Sequence, residues 1–330
     1  MLYEVAVIGD CVQDIFILAK SKLIKECGRK NKRELYLSFL YGDKINIDEL
    51  HFDLGGSACN AAVGMRKLRI KTTMVSMLGE DIYSRNVLEQ LRKKKVGRSF
   101  LIKEKNKNLG LSFILLGADR DRTILTYRPD NNFDKIKLKR LFWLSKSFYI
   151  AGINRYSKKI TRKVYEYAKK TGKKVYLNPS GYQIKNDLAN LKRIFKISKI
   201  ITVNVEEAMQ ILGIRKKIEI KKLLKNLKKL GPEIVVITDG KKGAYASDGK
   251  NFFKAGLYPA LRLDTTGAGD SFCSTFVAAQ IKGYNIEDSL RLASINSGNV
   301  VSVYGAQRGL LNWHELLVKL NKNKIRVTKI

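Results

Sequence analysis

Histidine is almost missing from this chain of 330 residues, which has only His51 and His314. A zinc site or a Ser-His-Asp triad is left little material, so acid–base chemistry is expected to fall on a carboxylate. Cysteine is nearly as scarce. The four present (Cys11, Cys27, Cys59, Cys273) show neither C-x-x-C spacing nor the density of a disulfide framework, which points to a reduced, cytoplasmic protein. No uninterrupted apolar run approaches the ~18–20 residues of a membrane span. Met1 to Asp10 carries Glu4 and Asp10 and reads as a strand, not as a signal peptide. Neither G-x-x-x-x-G-K-[ST] nor a strand–G-x-G-x-x-G–helix run occurs, which excludes the P-loop and the dinucleotide fingerprint. Acidic residues are few beside basic ones, 30 against 64, for a net charge of +34. Such a balance suits a nucleic-acid or anionic-membrane binder. The lysines, however, are scattered in short runs (Lys93-Lys94-Lys95, Lys169-Lys170, Lys216-Lys217, Lys228-Lys229) without a zinc finger or an RNP-like aromatic motif. A dispersed, solvated surface charge is the simpler account.

Against these absences stands one dense stretch, Asp264-Thr265-Thr266-Gly267-Ala268-Gly269-Asp270-Ser271-Phe272-Cys273. Phe272, Phe276 and Ala279 then recur at helical spacing, so a glycine loop is expected to feed an amphipathic helix. The first amides of a helix lack intrahelical acceptors and carry the positive end of the macrodipole, so an anion binds there without a lysine. An aspartate in that first turn can cap the helix or take a proton from something beside the anion.

Elsewhere strands alternate with helices. Tyr3–Ile8, Thr72–Met77, Phe148–Ala151, Lys174–Leu177, Ile200–Val203 and Glu233–Thr238 read as strands. Asp81–Lys95, Leu138–Lys146, Lys158–Thr171, Asn186–Ile197, Val205–Leu212 and Ile218–Leu230 read as helices. That alternation predicts an α/β fold with a doubly wound, mostly parallel sheet between two helical layers. Ligands in such sheets bind beyond the carboxyl ends of the strands, where Gly9, Gly152, Asn178, Asn204 and Thr238 all fall. Gly55-Gly56 lets backbone approach a ligand, and Ser57 is the expected N-cap of the helix carrying Asn60. Asn204 and Glu207 have capping-box spacing. Thr238-Asp239-Gly240-Lys241-Lys242-Gly243 predicts a hairpin.

Asp-Thr-Thr-Gly-Ala-Gly-Asp-Ser-Phe at 264–272 and Leu-Gly-Gly-Ser-Ala-Cys-Asn-Ala-Ala at 54–62 resemble the two signatures of the ribokinase-like (PfkB) carbohydrate kinases, with further matches from Gly9 to Gln307. The resemblance implies one ribokinase-like three-layer α/β/α kinase domain over 1–330, with β-sheet lid segments at about 12–50 and 98–128. Residues 34–41 and 109–127 are the strands expected in that lid, with 117–121 as a turn. It implies ATP with Mg²⁺ as the phosphoryl source, a sugar or nucleoside acceptor, and a homodimer formed through the lid. Asp270 would be the catalytic base and the amides of Gly267, Ala268 and Gly269 the anion hole. Asp14, Gly55, Gly56, Asn60 and Gly152 would hold the acceptor. Asn178, Asn204, Glu207, Thr238, Asp239, Gly240, Gly243 and Asn296 would meet the nucleotide, Glu207 reaching Mg²⁺ through water. Asp264, Thr266 and Gly305 match positions that hold a monovalent cation such as K⁺ in some members. Val12 stands where ribokinases often carry Asn. Arg128 and Arg155 sit where relatives acting on acidic sugars meet a carboxylate, or they are solvated arginines of a basic chain. An acidic or phosphorylated sugar, a nucleoside, a non-catalytic binding protein and a nucleic-acid binder are the alternatives.

The scattered lysines carry a first test. Binding to DNA or RNA is expected to be nonspecific and to weaken to Kd ~10⁻⁴–10⁻⁶ M at physiological salt. A sequence-selective complex that survives that salt in a gel-shift titration would contradict a diffuse origin of the charge.

Overall fold

The computed structural model describes residues 2–19, 22–27, 33–117, 122–129, 133–153, 158–322 and 325–330. The strands in chain order are β1 (Tyr3–Ile8), β2 (Val12–Ala19), β3 (Lys22–Cys27), β4 (Arg33–Ser38), β5 (Ile47–Gly55), β6 (Thr72–Leu78), β7 (Gly97–Lys103) and β8 (Gly110–Leu116). They continue as β9 (Arg122–Tyr127), β10 (Ser145–Ile150), β11 (Lys174–Leu177), β12 (Ser198–Asn204), β13 (Ile234–Thr238), β14 (Ala244–Ser247), β15 (Phe252–Ala255) and β16 (Val327–Lys329). The main sheet has the order β16-β15-β14-β13-β12-β11-β10-β1-β6-β7. From β7 to β13 neighbours pair in parallel, and β14, β15 and β16 are added antiparallel. Alternation along β1 explains the two helical layers. Val5 and Val7 belong to one core and Ala6 and Ile8 to the other, all four fully buried. A strand covered on both faces needs apolar side chains in both directions. The chain runs outward from β1 to β6 and β7, then returns to β10 on the other side of β1. This reversal opens the crevice in which doubly wound sheets place their ligands.

The sequence-predicted strands of the main sheet and most helices are present, with local differences. Residues 181–195 form two helices, Gly181–Asn186 and Leu188–Phe195, because Asp187 between them adopts a non-helical backbone. The segment 98–103 belongs to β7 in the main sheet and not to the lid. The helix Ala268–Ile281 is not amphipathic. Every residue from Ser271 to Ala279 is buried, because the helix runs between the helices Ser57–Lys67 and Ile286–Val300. Ser271, Ser274 and Thr275 are tolerated there because hydroxyls can bond back to the preceding turn, as Ser274 Oγ does to the Ser271 carbonyl (3.2 Å).

A second sheet, in the order β5-β2-β8-β9, stands apart from the first. It holds the expected lid segment 109–127. Among the described residues the stretch 34–41 is not part of it, for β4 pairs with β3 in a separate hairpin. Turn residues 118–121 and Arg155 lie outside the described residues. The registers Asp14↔Asp53 and Asp14↔Ser112 put these three side chains on one face of the lid sheet. Leu50, Phe52, Leu125 and Tyr127 share the opposite face and are about half exposed. A small sheet with one face about half exposed is expected to be held more loosely than the main sheet. Acceptor plus nucleotide is therefore expected to slow amide exchange in β2, β5, β8 and β9 more than in β10 to β13. Equal changes in both sheets would argue against a mobile lid.

Candidate active site

The helix Ala268–Ile281 begins at Gly267, whose φ of 75° is left-handed; a Cβ there would lie 2.5 Å from Ala306 Cβ. Only glycine makes this turn so close to a neighbouring loop. Ala268 N–H is directed at the Thr265 carbonyl (3.3 Å). The Gly269 amide, second in the helix, lacks an intrahelical acceptor, and added bulk at Gly269 would meet open space. Asp264 fixes the approach to this turn. Its Oδ1 accepts from Thr266 N (2.8 Å) and Thr266 Oγ1 (2.7 Å), and its Oδ2 accepts from Gly305 N (3.0 Å). Asp264, Thr266 and Gly305 are thus brought together as the sequence suggested, with both carboxylate oxygens engaged by the protein. From the lid, Arg122 donates to Thr265 Oγ1, so β9 touches the glycine turn.

Asp270 is half-buried at the same helix start. Asn60 Nδ2 donates to its Oδ2 (2.9 Å), and Ser57 also bonds to it. Burial raises its pKa above the ordinary aspartate value, and the two donors pull it part of the way back. Ser57 is not the N-cap of its helix. That place is taken by Gly56, which offers no side chain and leaves the Ser57 hydroxyl to Asp270.

Across the cleft, Asp14 is buried on β2. A Cβ on Gly55 would fall 2.1 Å from Asp14 Oδ2, so the glycine is what lets this carboxylate lie against β5. Burial pushes the Asp14 carboxyl up to about 6, opposed by the Ser112 hydroxyl and the Arg128 guanidinium and reinforced by Asp270 and Asp53. Arg128 is not a solvated arginine. Its Nη1 donates to the Leu111 carbonyl (2.6 Å) and Nη2 to Ser112 Oγ (3.0 Å), with its pKa lowered by burial and supported by Asp10 and Asp14. Gly152 closes the crevice floor, its carbonyl accepting from Asp10 N (3.2 Å).

On the other side of the glycine turn lies a cavity of about 360 Å³, lined among others by Thr238, Gly240, Gly243, Ala268, Gly269 and Ser297. The expected hairpin is present, with β13 and β14 joined through the short turn Gly240–Lys242. Asp239 points its charge at Lys242 (3.8 Å) and is not among the lining residues. Asn296 does not reach the cavity. It is fully buried, donating to Thr275 Oγ1 (2.8 Å) and accepting from Leu311 N (2.9 Å), while Ser294, Ser297 and Gly298 of the same helix line the wall. Asn178 Nδ2 ties the end of β11 to the Thr202 carbonyl (2.9 Å). Asn204 and Glu207 form the reciprocal capping box (2.7 and 2.9 Å), and burial raises the Glu207 pKa, with the charge of Asp270 adding to it. Among the described residues no cluster of three His, Cys, Asp or Glu could hold a metal by itself. No described helix is long and apolar enough to cross a membrane. Gln307, at the end of the stretch 296–307 that the resemblance puts near the adenine, lies instead against Leu54 and Asn60.

An open α/β sheet with a separate small β-sheet, and a glycine turn at a helix start beside a cavity, is the ribokinase-like arrangement. The structure of Arabidopsis thaliana ribokinase complexed with ribose and ATP superposes with a TM-score of 0.78 at 23% identity, over 98% of this chain and 100% of that one. An E. coli protein described as ribokinase II, in complex with ATP and Mg²⁺, gives 0.79 at 16% identity, over 98% and 100%. The chain belongs to the pfkB family of carbohydrate kinases, whose profile matches residues 5–313. Among curated relatives, the 5-dehydro-2-deoxygluconokinase of Clostridium beijerinckii is 29% identical over 275 residues, 78% of this chain and 80% of that protein.

The Asp14 carboxyl provides a test of this geometry. Unfolded, it ionises near 3.8; folded, near 6. Ionisation therefore costs the folded state stability as pH rises from about 4 to 6, and the full cost persists above that. Asp14→Asn removes the cost, so its Tm at pH 8 is expected to rise by a few degrees while acceptor binding is lost. A lower Tm at pH 8 would show that Asp14 is held by favourable contacts and not against its desolvation.

Proposed function

We propose that this carbohydrate kinase moves the γ-phosphate of ATP to a hydroxyl of a sugar or sugar-containing small molecule, with Asp270 as the general base. The observation that carries the proposal is the placement of Asp270. It lies at the helix start where the Gly269 amide lacks an intrahelical acceptor, bonded to Asn60 on the helix that begins at the Gly55-Gly56 turn. In this reading Asp14 accepts from neighbouring hydroxyls of the acceptor, and the backbone at Gly55, Gly56 and Gly152 allows the ring to lie close. Asn60 reaches the acceptor from the same helix turn that serves Asp270. Asp270 then takes the hydroxyl proton as the oxygen bonds to phosphorus, and the bond from that phosphorus to the bridging oxygen breaks with its electron pair leaving on ADP. The amides of Gly267, Ala268 and Gly269, with the helix dipole, hold the transferred phosphoryl oxygens.

The 360 Å³ cavity suits the adenosine part of the nucleotide, with Thr238, Gly240 and Gly243 against its ribose and phosphates. Asn178, Asn204 and Asp239 border that end of the crevice. Mg²⁺ would neutralise charge on the β- and γ-phosphates, and Glu207 fits a water-mediated role, having one carboxylate oxygen left after capping. K⁺ at Asp264, Thr266 and Gly305 would have to rest on backbone carbonyls, since the Asp264 oxygens are taken. The apolar outer face of the lid, Leu50, Phe52, Leu125 and Tyr127, supports a homodimer through the lid.

A second reading, an acidic sugar as acceptor, is favoured by Arg128. Three of its five donors hold backbone or Ser112, two are left for a ligand, and the charges of Asp10 and Asp14 support the guanidinium. The relative named for 5-dehydro-2-deoxygluconate points the same way. ADP release across pentoses, hexoses, keto-acid sugars and nucleosides separates the two readings.

Asp270→Asn tests the mechanism itself. The amide keeps the shape and accepts the Asn60 bond but cannot take a proton. Turnover is expected to fall by ~10²–10⁴ with ATP affinity and Tm little changed. Turnover within a few-fold of wild type would remove Asp270 as the base.

A further inference from the structure

Behind Asp270 lies a second amide. Gln307 is 7% exposed, and its Nε2 donates both to the Leu54 carbonyl (3.0 Å) and to Asn60 Oδ1 (2.9 Å). Asn60 Nδ2 in turn donates to Asp270 Oδ2. A backbone carbonyl can only accept, so the Leu54 bond decides which end of the Gln307 amide faces the site. That end then decides which way Asn60 lies, and Asn60 can present only N–H to the carboxylate. Turning either amide over would set oxygen against oxygen. Gln307 Oε1 is buried and has no hydrogen-bond partner among the described residues. A buried acceptor left so is unfavourable, and the orientation is held by what Nε2 does.

We propose that Gln307 is a positioning residue of phosphoryl transfer: through Asn60 it keeps an N–H donor on Asp270 and holds that carboxylate in its proton-accepting form. The inference rests on Asp270 being the base. The surroundings make the donor necessary. Asp14 on β2, Glu207 at the start of the helix Val205–Leu212, Tyr149 on β10 and Cys273 on the next turn all feel the Asp270 charge. Burial opposes its ionisation, while Asn60 and Ser57 are the groups that favour the charged form. Arg128 lies across the cleft on Asp14 and does not reach Asp270. A donor whose direction is fixed from behind is worth more here than one free to turn.

The experiment compares Gln307→Met, Gln307→Glu and Asp270→Asn with wild type, reading kcat at saturating acceptor and ATP from pH 5 to 9, together with Tm. Met keeps the volume and lets the Asn60 amide turn. Glu, when ionised, cannot donate to either acceptor. Both are expected to lower kcat at pH 7 by roughly 10-fold or more and to move the acidic limb of the profile upward by about one pH unit, with KM for ATP within twofold. A purely structural Gln307 would lower Tm and leave the limb where it is. An unmoved limb in both variants, with Asp270→Asn inactive, overturns the role of Gln307 alone. Near-normal turnover of Asp270→Asn overturns the base assignment beneath it.

Discussion

The hydrogen bond from Asn60 to Asp270 joins positions 210 residues apart in the chain, and the active centre depends on it. It fastens the helix that follows the lid strand β5 to the helix that begins at the glycine turn. Packing of the two helices sets their separation, and this bond fixes how the two side chains meet within it. The sheet supplies the frame for this contact. Reversal of strand order at β1 and β10 opens the crevice, and the buried helix Ala268–Ile281 carries its first turn to the edge of that crevice. A helix buried from Ser271 to Ala279 cannot be shifted without disturbing the helices on either side of it, which suits a site that must be rigid before the substrate arrives.

Charge in this protein is organised on two scales. The surface is overwhelmingly basic and spread out. The crevice gathers Asp10, Asp14, Asp264, Asp270 and Glu207 into a small volume, with Arg128 as the cation held within reach of Asp10 and Asp14. Burial raises the proton affinities of Asp14, Asp270 and Glu207, and the charge of Asp270 adds to the rise at the other two. The outer field draws polyanions toward the molecule, and in the proposed reading the inner acids serve hydroxyls and a divalent ion.

The framework could be read from sequence where periodicity and turn chemistry agree. Tyr3–Ile8, Lys174–Leu177, Lys158–Thr171 and Val205–Leu212 fall where their patterns put them. The two glycine signatures announced themselves because no other residue makes their turns. Less could be read where a residue's role is set by distant partners. Asn296 lies on the helix that walls the cavity, yet it points at Thr275, and one step of helical rotation separates it from the lining residue Ser297. Ser57 has the right composition for a cap, but the chain reaches the helix one residue earlier. β4 alternates like a lid strand and pairs only with β3. Gln307 carries no local signal at all, since its partners are Leu54 and Asn60. Only the Gly305 turn, which brings that segment against Asp264, could have hinted that it enters the centre.

In the proposed reading the acceptor and the nucleotide are held by different parts of the fold. Asp14, Gly55, Ser112 and the bonds fixing Arg128 all belong to the lid sheet or its roots, whereas Thr238, Gly243 and the glycine turn belong to the main sheet and its helices. Exchange of a few lid side chains can therefore redirect the protein to another polyol while the phosphate-handling half stays untouched. A lineage of such enzymes can diversify in what it consumes without having to reinvent how it transfers.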